Sequence, residues 1–144
     1  MKTASTIGIR ETRRLDGVVT LTKHDIVSNQ KFSDSIALGT WPIDVHPPKG
    51  QSGVHEMYVP LPYQIPYRAL LPKKIDNLLV AGRCISTDRE AMGTIRVGAT
   101  CGAIGHAAGV AAAIAALSEK TPGTLDYNDI RKELFNQGAI VGFE

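Results

Sequence analysis

The uncharged run at residues 97–117 constrains the fold of this chain more than any other feature. Glycines recur in it every three or four residues, at Gly98, Gly102, Gly105 and Gly109. Most of the other side chains are also small, so we predict a helix over residues 100–119 against which other backbone packs closely. The run is also long enough to cross a membrane, but its single leucine and its internal Cys101 and His106 favour packing against protein.

A short apolar run, NLLVAG at residues 77–82, precedes this helix. An unbroken apolar run that stops at glycine is typical of a parallel strand buried on both faces. Residues 83–96 lie between this apolar run and the helix and include several charged side chains, so they are interpreted as a loop. We therefore predict a strand, a loop and a helix in succession, with the strand and the helix both largely buried.

This strand, loop and helix form the candidate ligand site, because α/β folds place ligands beyond the carboxyl ends of parallel strands. Gly82 permits close approach of the backbone to a ligand. The start of the helix offers unpaired N–H groups and a positive dipole end, at Thr100, Cys101, Gly102 and Ala103. Such groups suit a ligand that is or becomes negative, and the lack of bulky side chains leaves room for a flat ring.

The rest of the chain shows weaker patterns. They predict a strand hairpin, a short helix, another strand and a proline-rich extended segment, at residues 7–22, 23–32, 36–45 and 47–72. Thr22 is the expected N-cap of the short helix. A last amphipathic helix is predicted at residues 127–136, with Asp126 as its N-cap and Gly138 as its stop.

Composition excludes several classes of function. A hydrophobic share of 43% and a charged share of 21% are ordinary for a soluble globular protein. A net charge of +2 is too small to indicate nucleic acid binding. Residues 1–10 lack the apolar stretch of a signal peptide, so we expect a cytoplasmic protein with neither a membrane nor a nucleic acid partner.

Two cysteines, Cys84 and Cys101, are too few for a disulfide framework, and no metal-ligand spacing occurs. Their glycine- and alanine-rich surroundings favour buried, inert thiols. A disulfide between the two stays open from the sequence.

Several motifs together resemble FAD-dependent oxidoreductases with a glutathione-reductase-like flavin domain. The C-terminal motif of that family is similar to the Gly-Arg pair after the predicted strand and to R-x-x-x-x-C-x-x-x-G-x-A-A-G at residues 96–109. Three upstream segments fit in the same order, namely GIRETRR at 8–14, DVH at 44–46 and IPYR at 65–68. The resemblance covers residues 7–143, and an exposed coil in place of the predicted strand or helix would count against it.

The resemblance implies an α/β fold class, mixed α+β in this chain. Residues 1–72 would contain strands from the end of a substrate domain and a proline-rich connection. Residues 73–144 would be the C-terminal strand and helices of a partial FAD/NAD(P)-binding domain. The complete enzyme would act on a small-molecule substrate that the resemblance does not identify.

The resemblance also implies roles for the candidate site residues. Gly82 and Arg83 would pass near the ribityl or pyrophosphate part of FAD. The backbone N–H groups of the helix start would face the flavin N1/O2 edge, where reduction places negative charge; they belong to Thr100, Cys101, Gly102 and Ala103. Arg96, four residues before the helix start, is a candidate cofactor-binding and catalytic residue that would touch the flavin or an anionic substrate, with an ordinary surface arginine as the alternative. His46 is a candidate catalytic acid or base, with a structural role as the alternative.

One part of the family pattern is missing, because no G-x-G-x-x-G follows a strand anywhere in the sequence. We therefore predict that the chain alone does not retain FAD. It would need a partner that supplies the N-terminal FAD-binding half, or it would self-associate. The alternative is a non-catalytic, oligomerising remnant of the fold.

Overall fold

A computed structural model describes residues 11–45 and 57–142. These residues form a mixed α+β structure, which confirms the predicted fold class. The regular elements in chain order are α1 Lys23–Val27, β1 Ser35–Gly39, β2 Ile43–Asp44, β3 Met57–Tyr58, β4 Tyr63–Pro66, α2 Arg89–Ile95, α3 Gly98–Leu117 and α4 Tyr127–Asn136. Single 3-10 turns occur at Tyr67–Leu70, Gly82–Cys84 and Pro122–Thr124.

Two antiparallel strand pairs support the helices. β1 pairs with β4, and β2 pairs with β3. All four residues of β4 are buried. Four of the five residues of β1 are also buried, because α3 and α4 pack against this strand. The core includes residues from both sides of position 72, such as Leu21, Ile65 and Ile104, each with no exposed surface.

An ion pair closes one end of the β1–β4 pair. Asp34 precedes β1 and has no exposed surface, and its carboxylate accepts from the backbone N–H and the guanidinium of Arg68. The Asp34 carbonyl also accepts from the N–H of Tyr67, at 2.8 Å. The hydrogen bond to Asp34 raises the pKa of Arg68 above its ordinary value. Buried carboxylates need such partners, so this pair fixes where β4 ends.

The short helices begin as the sequence predicts. Thr22 caps α1 through a capping box with Asp25, and Asp126 caps α4. α1 ends at Val27, short of the predicted residue 32, because Asn29 adopts a positive φ of 53°. Gly138, with a φ of 79°, follows the end of α4 as predicted.

Three strand predictions were wrong. Residues 11–22 form only isolated bridges at Gly17 and Leu21 rather than a hairpin, and residues 7–10 lie outside the described residues. The single strand predicted at 36–45 is two strands with different partners. Residues 77–82 form no strand and are largely exposed, with Leu78 41% exposed. A buried parallel strand needs neighbouring strands on both sides, and the described part of the chain provides none here.

The predicted loop and helix also differ from the structure. The loop at 83–96 contains α2, which Asp88 caps by accepting from the N–H of Ala91. α3 begins at Gly98, two residues early, and about half of it is exposed, so the prediction of a largely buried helix was wrong. By length and composition α3 is apolar enough to cross a membrane, although it packs on β1 and α4 here.

We expect Asp34→Asn to lower the free energy of unfolding by about 2–4 kcal/mol, because it leaves a guanidinium and a backbone N–H with weaker acceptors. Urea unfolding followed by circular dichroism measures this change. The matched control is Asp16→Asn, which removes an exposed ion pair to Lys73 and should cost less than about 1 kcal/mol. Equal losses of unfolding free energy in the two variants would show that the Asp34 ion pair stabilises the fold no more than an exposed ion pair does.

Candidate functional site

The start of α3 is the centre of the candidate site. Val97 is its N-cap and contributes no side-chain hydrogen bond. The N–H of Cys101 is the first to bond within the helix, to the Val97 carbonyl at 2.9 Å. Gly98 and Ala99 are exposed, so the free N–H groups of the first turn are open to a ligand. The 20-residue length of α3 gives this end a full helix dipole.

The Gly82–Cys84 turn lies against this helix start. Gly82 has a φ of 71°, which favours glycine, and a Cβ at this position would lie 4.0 Å from both the Cβ and the Sγ of Cys101. The Leu15 N–H donates to the Cys84 carbonyl at 2.9 Å and holds the turn in place. The structure therefore places the turn that contains Gly82 and Arg83 against the helix start at Cys101.

The prediction of unpaired N–H groups at Cys101, Gly102 and Ala103 was wrong, because α3 begins at Gly98 and these groups lie inside the helix. The predicted residues at the helix start also differ in exposure. Thr100 is buried, whereas Gly102 is exposed and a Cβ there would meet nothing within 4 Å in the described part of the chain. Ala103 is half-buried against the core. Gly102 therefore makes no close packing contact with the described residues, so the alternative reading of it as a packing glycine has no support there.

Arg96 is already engaged in an ion pair. It follows α2, and its guanidinium donates to the Asp44 carbonyl at 2.9 Å and to the carboxylate at 3.4 Å. The Arg96 side chain is only 12% exposed. A contact with flavin or an anionic substrate would have to compete with Asp44 for this group. The other catalytic candidate, His46, lies outside the described residues.

A close contact between α2 and β2 positions the Arg96–Asp44 ion pair. The sequence analysis did not predict this contact. A Cβ at Gly93 would lie 2.8 Å from the Asp44 carbonyl oxygen, so only glycine allows this approach. The hydroxyls of Thr94 and Tyr63 are hydrogen-bonded at 2.9 Å, and Thr94 also donates to the Trp41 carbonyl. Burial raises the pKa of Tyr63 to about 12, although the hydrogen bond with Thr94 acts to lower it. The raised pKa keeps the phenol neutral at physiological pH.

The signal that could have revealed α2 was Asp88 followed by helix-forming residues. Cys84 departs from the sequence prediction as well, because it is exposed rather than buried, while Cys101 is half-buried. The described residues contain no cluster of three His, Cys, Asp or Glu placed to hold a metal ion.

A sequence model of the FAD dependent oxidoreductase family matches residues 1–134. The chain belongs to this family. No curated protein and no solved structure matches it. Residues 77–82 are not the buried strand whose absence we expected to count against the resemblance, yet the family match stands. Strand pairing depends on neighbouring strands as well as on the segment itself.

The residues at the start of α3 fit an anionic, flat group such as the FAD implied by the family. Uncapped N–H groups face outward at Gly98, and the open surface at Gly102 leaves space for a ring. Gly82, with its positive φ, adds backbone without a side chain next to Cys101. These features supply hydrogen-bond donors and access, which a flavin and its phosphates require.

We expect Gly93→Ala to destabilise the protein by about 1–3 kcal/mol, because its methyl group would overlap the Asp44 backbone. Thermal unfolding measures the change. Gly109→Ala is the matched control on α3, where the added Cβ meets open space and should stabilise by about 0.4–1 kcal/mol. A neutral Gly93→Ala variant would mean that α2 and β2 separate without cost.

Proposed function

We propose that this chain contributes the flavin-facing wall of an FAD-dependent oxidoreductase with a glutathione-reductase-like flavin domain. The observation that carries the proposal is the meeting of the Gly82 turn with the uncapped start of α3 at Cys101. Both are backbone features that suit an anionic, planar cofactor, and they occur in a member of an FAD dependent oxidoreductase family.

In this proposal the chain binds and orients while FAD, when bound, supplies the electron-transfer chemistry. N–H groups at Gly98 and Ala99 donate hydrogen bonds toward the N1/O2 edge of the ring. The dipole of α3 favours negative charge at that edge by about 0.3–2 kcal/mol. Gly82 and Arg83 line the ribityl or pyrophosphate part, where the guanidinium complements phosphate charge.

Arg96 acts in this proposal through Asp44. Its ion pair ties β2 to the residue just before the N-cap of α3, which fixes the direction in which the first N–H groups point. A donor that shifts by about 1 Å loses much of its hydrogen bond. Arg96 is therefore proposed as a positioning residue rather than as a direct contact of the substrate.

The ADP half of FAD requires a G-x-G-x-x-G turn, which this sequence does not contain. We propose that another polypeptide segment supplies it. None of residues 78–81 is buried, and Leu79 and Ala115 line one surface pocket, so this surface is accessible to such a segment. A small-molecule substrate would then bind on the other side of the flavin.

A second candidate function is association without catalysis. Large apolar side chains are exposed on α3 and near β3, including Leu117 at 88%, Leu61 at 69% and Val59 at 68%. Exposed apolar surface favours self-association. A colourless and stable oligomer, with no flavin bound under any condition, would support this second function.

We expect the purified 144-residue chain to be colourless and to bind FAD weakly, because it lacks the pyrophosphate-binding turn. Co-purification with a polypeptide that carries G-x-G-x-x-G should yield stoichiometric flavin, measured by its visible absorbance. Stoichiometric FAD on the chain alone would overturn the need for a partner. A complex that contains both polypeptides and still binds no flavin would overturn the proposed function.

We expect Gly102→Val to weaken FAD binding by the same complex at least about tenfold, because a branched side chain would push the ring from the helix start. The melting temperature of the chain without flavin should change little, since Gly102 has open space around it. Gly109→Val, two turns further along α3, is the matched control and should retain flavin affinity. Equal affinities in both variants would remove Gly102 from the site.

A further inference from the structure

The fold brings the two segments that carry the cysteines, the Gly82–Cys84 turn and the start of α3, into contact. The two cysteines are separated by residues 85–100 in sequence, yet the Gly82–Cys84 turn packs against the first turns of α3. The Cβ position of Gly82 lies 4.0 Å from the Cys101 Sγ, and Cys84 is two residues further along the same turn. Neither thiol is part of a disulfide.

The two thiols differ in access. Cys84 is exposed, whereas Cys101 is half-buried and its Sγ donates to the Ile95 carbonyl at 3.4 Å. Burial raises the pKa of Cys101; the Arg83 guanidinium opposes this rise, and charge on Cys84 adds to it.

We propose that Cys84 and Cys101 form a redox-active pair that reacts with low-molecular-weight disulfides. The Cys84 thiolate attacks one sulfur of oxidised glutathione, which forms a mixed disulfide and releases one glutathione thiolate. The Cys101 thiolate then attacks the Cys84 sulfur, which forms the Cys84–Cys101 disulfide and releases the second glutathione. Two protein thiols lose two electrons, and one glutathione disulfide gains them.

This order of attack follows from exposure. An external disulfide reaches an exposed thiol first, and a second thiol inside the fold resolves the mixed disulfide. The turn that carries Cys84 is held from the other side by two backbone hydrogen bonds, from Leu15 N–H to the Cys84 carbonyl and from Val80 N–H to the Leu70 carbonyl. Cys84 therefore stays close to α3, which raises its effective concentration toward Cys101.

The inference goes beyond the proposed flavin role and does not depend on it. The reaction needs only the two thiols and an external disulfide. Its product would join the Gly82–Cys84 turn covalently to the start of α3, the two segments that flank the candidate flavin site. Oxidation could thereby fix the spacing between them.

The test uses the complete 144-residue chain without flavin, equilibrated in glutathione buffers of increasing oxidised fraction. Free thiols are then alkylated, and the chain is analysed by intact mass and tryptic peptide mapping. Cleavage after Arg83, Arg89 and Arg96 places the two cysteines in separate peptides, so a disulfide between them is detected directly. We expect one internal disulfide and no retained glutathione, with an equilibrium constant at least about tenfold higher in the native chain than in urea.

Single variants test the order of the steps. Cys101→Ser should accumulate one glutathione on Cys84, because no thiol remains to resolve it. Cys84→Ser should take up glutathione at least about tenfold more slowly, because Cys101 is half-buried. Wild-type protein that carries two glutathiones, keeps both thiols reduced in oxidised glutathione, or forms the internal disulfide no more readily than in urea would overturn the proposal. The wild-type comparison holds even if a variant fails to fold.

Discussion

The contact between Gly93 and the Asp44 backbone is the constraint on which the candidate site depends. It brings α2 against β2 at a distance that no larger residue allows. Arg96, at the end of α2, then reaches both the carbonyl and the carboxylate of Asp44. Because α3 starts two residues later, the direction of its first N–H groups follows from this contact. A ligand site made of backbone groups is only as well defined as the elements that carry them.

Glycines occur in three different environments in the described part of this protein. Gly93 is small because backbone lies against it, whereas Gly102 and Gly109 face open space among the described residues. Gly82 is glycine for its positive φ. Gly102 and Gly109 of α3 make no close packing contact with the described residues. Their small size is consistent with the proposal that a cofactor or another polypeptide segment lies against this part of α3.

Part of the fold could be predicted from local patterns. The caps at Thr22 and Asp126 and the helix stop near Gly138 were correct, because caps depend on residues that are neighbours in sequence. The long helix was correct apart from its first residues and its exposure. The strand at residues 77–82 was wrong, since an apolar run records β propensity but cannot show whether partner strands lie beside it.

The sequence by itself determined the family, because family membership depends on the order of residue types along the chain. Only the tertiary structure decided that Arg96 is paired with Asp44, that Gly93 allows the approach of α2, and that Cys84 is exposed beside α3. Each of these facts joins residues far apart in the chain or depends on what surrounds them. Distances between such residues are set by packing of the core, which no local pattern contains.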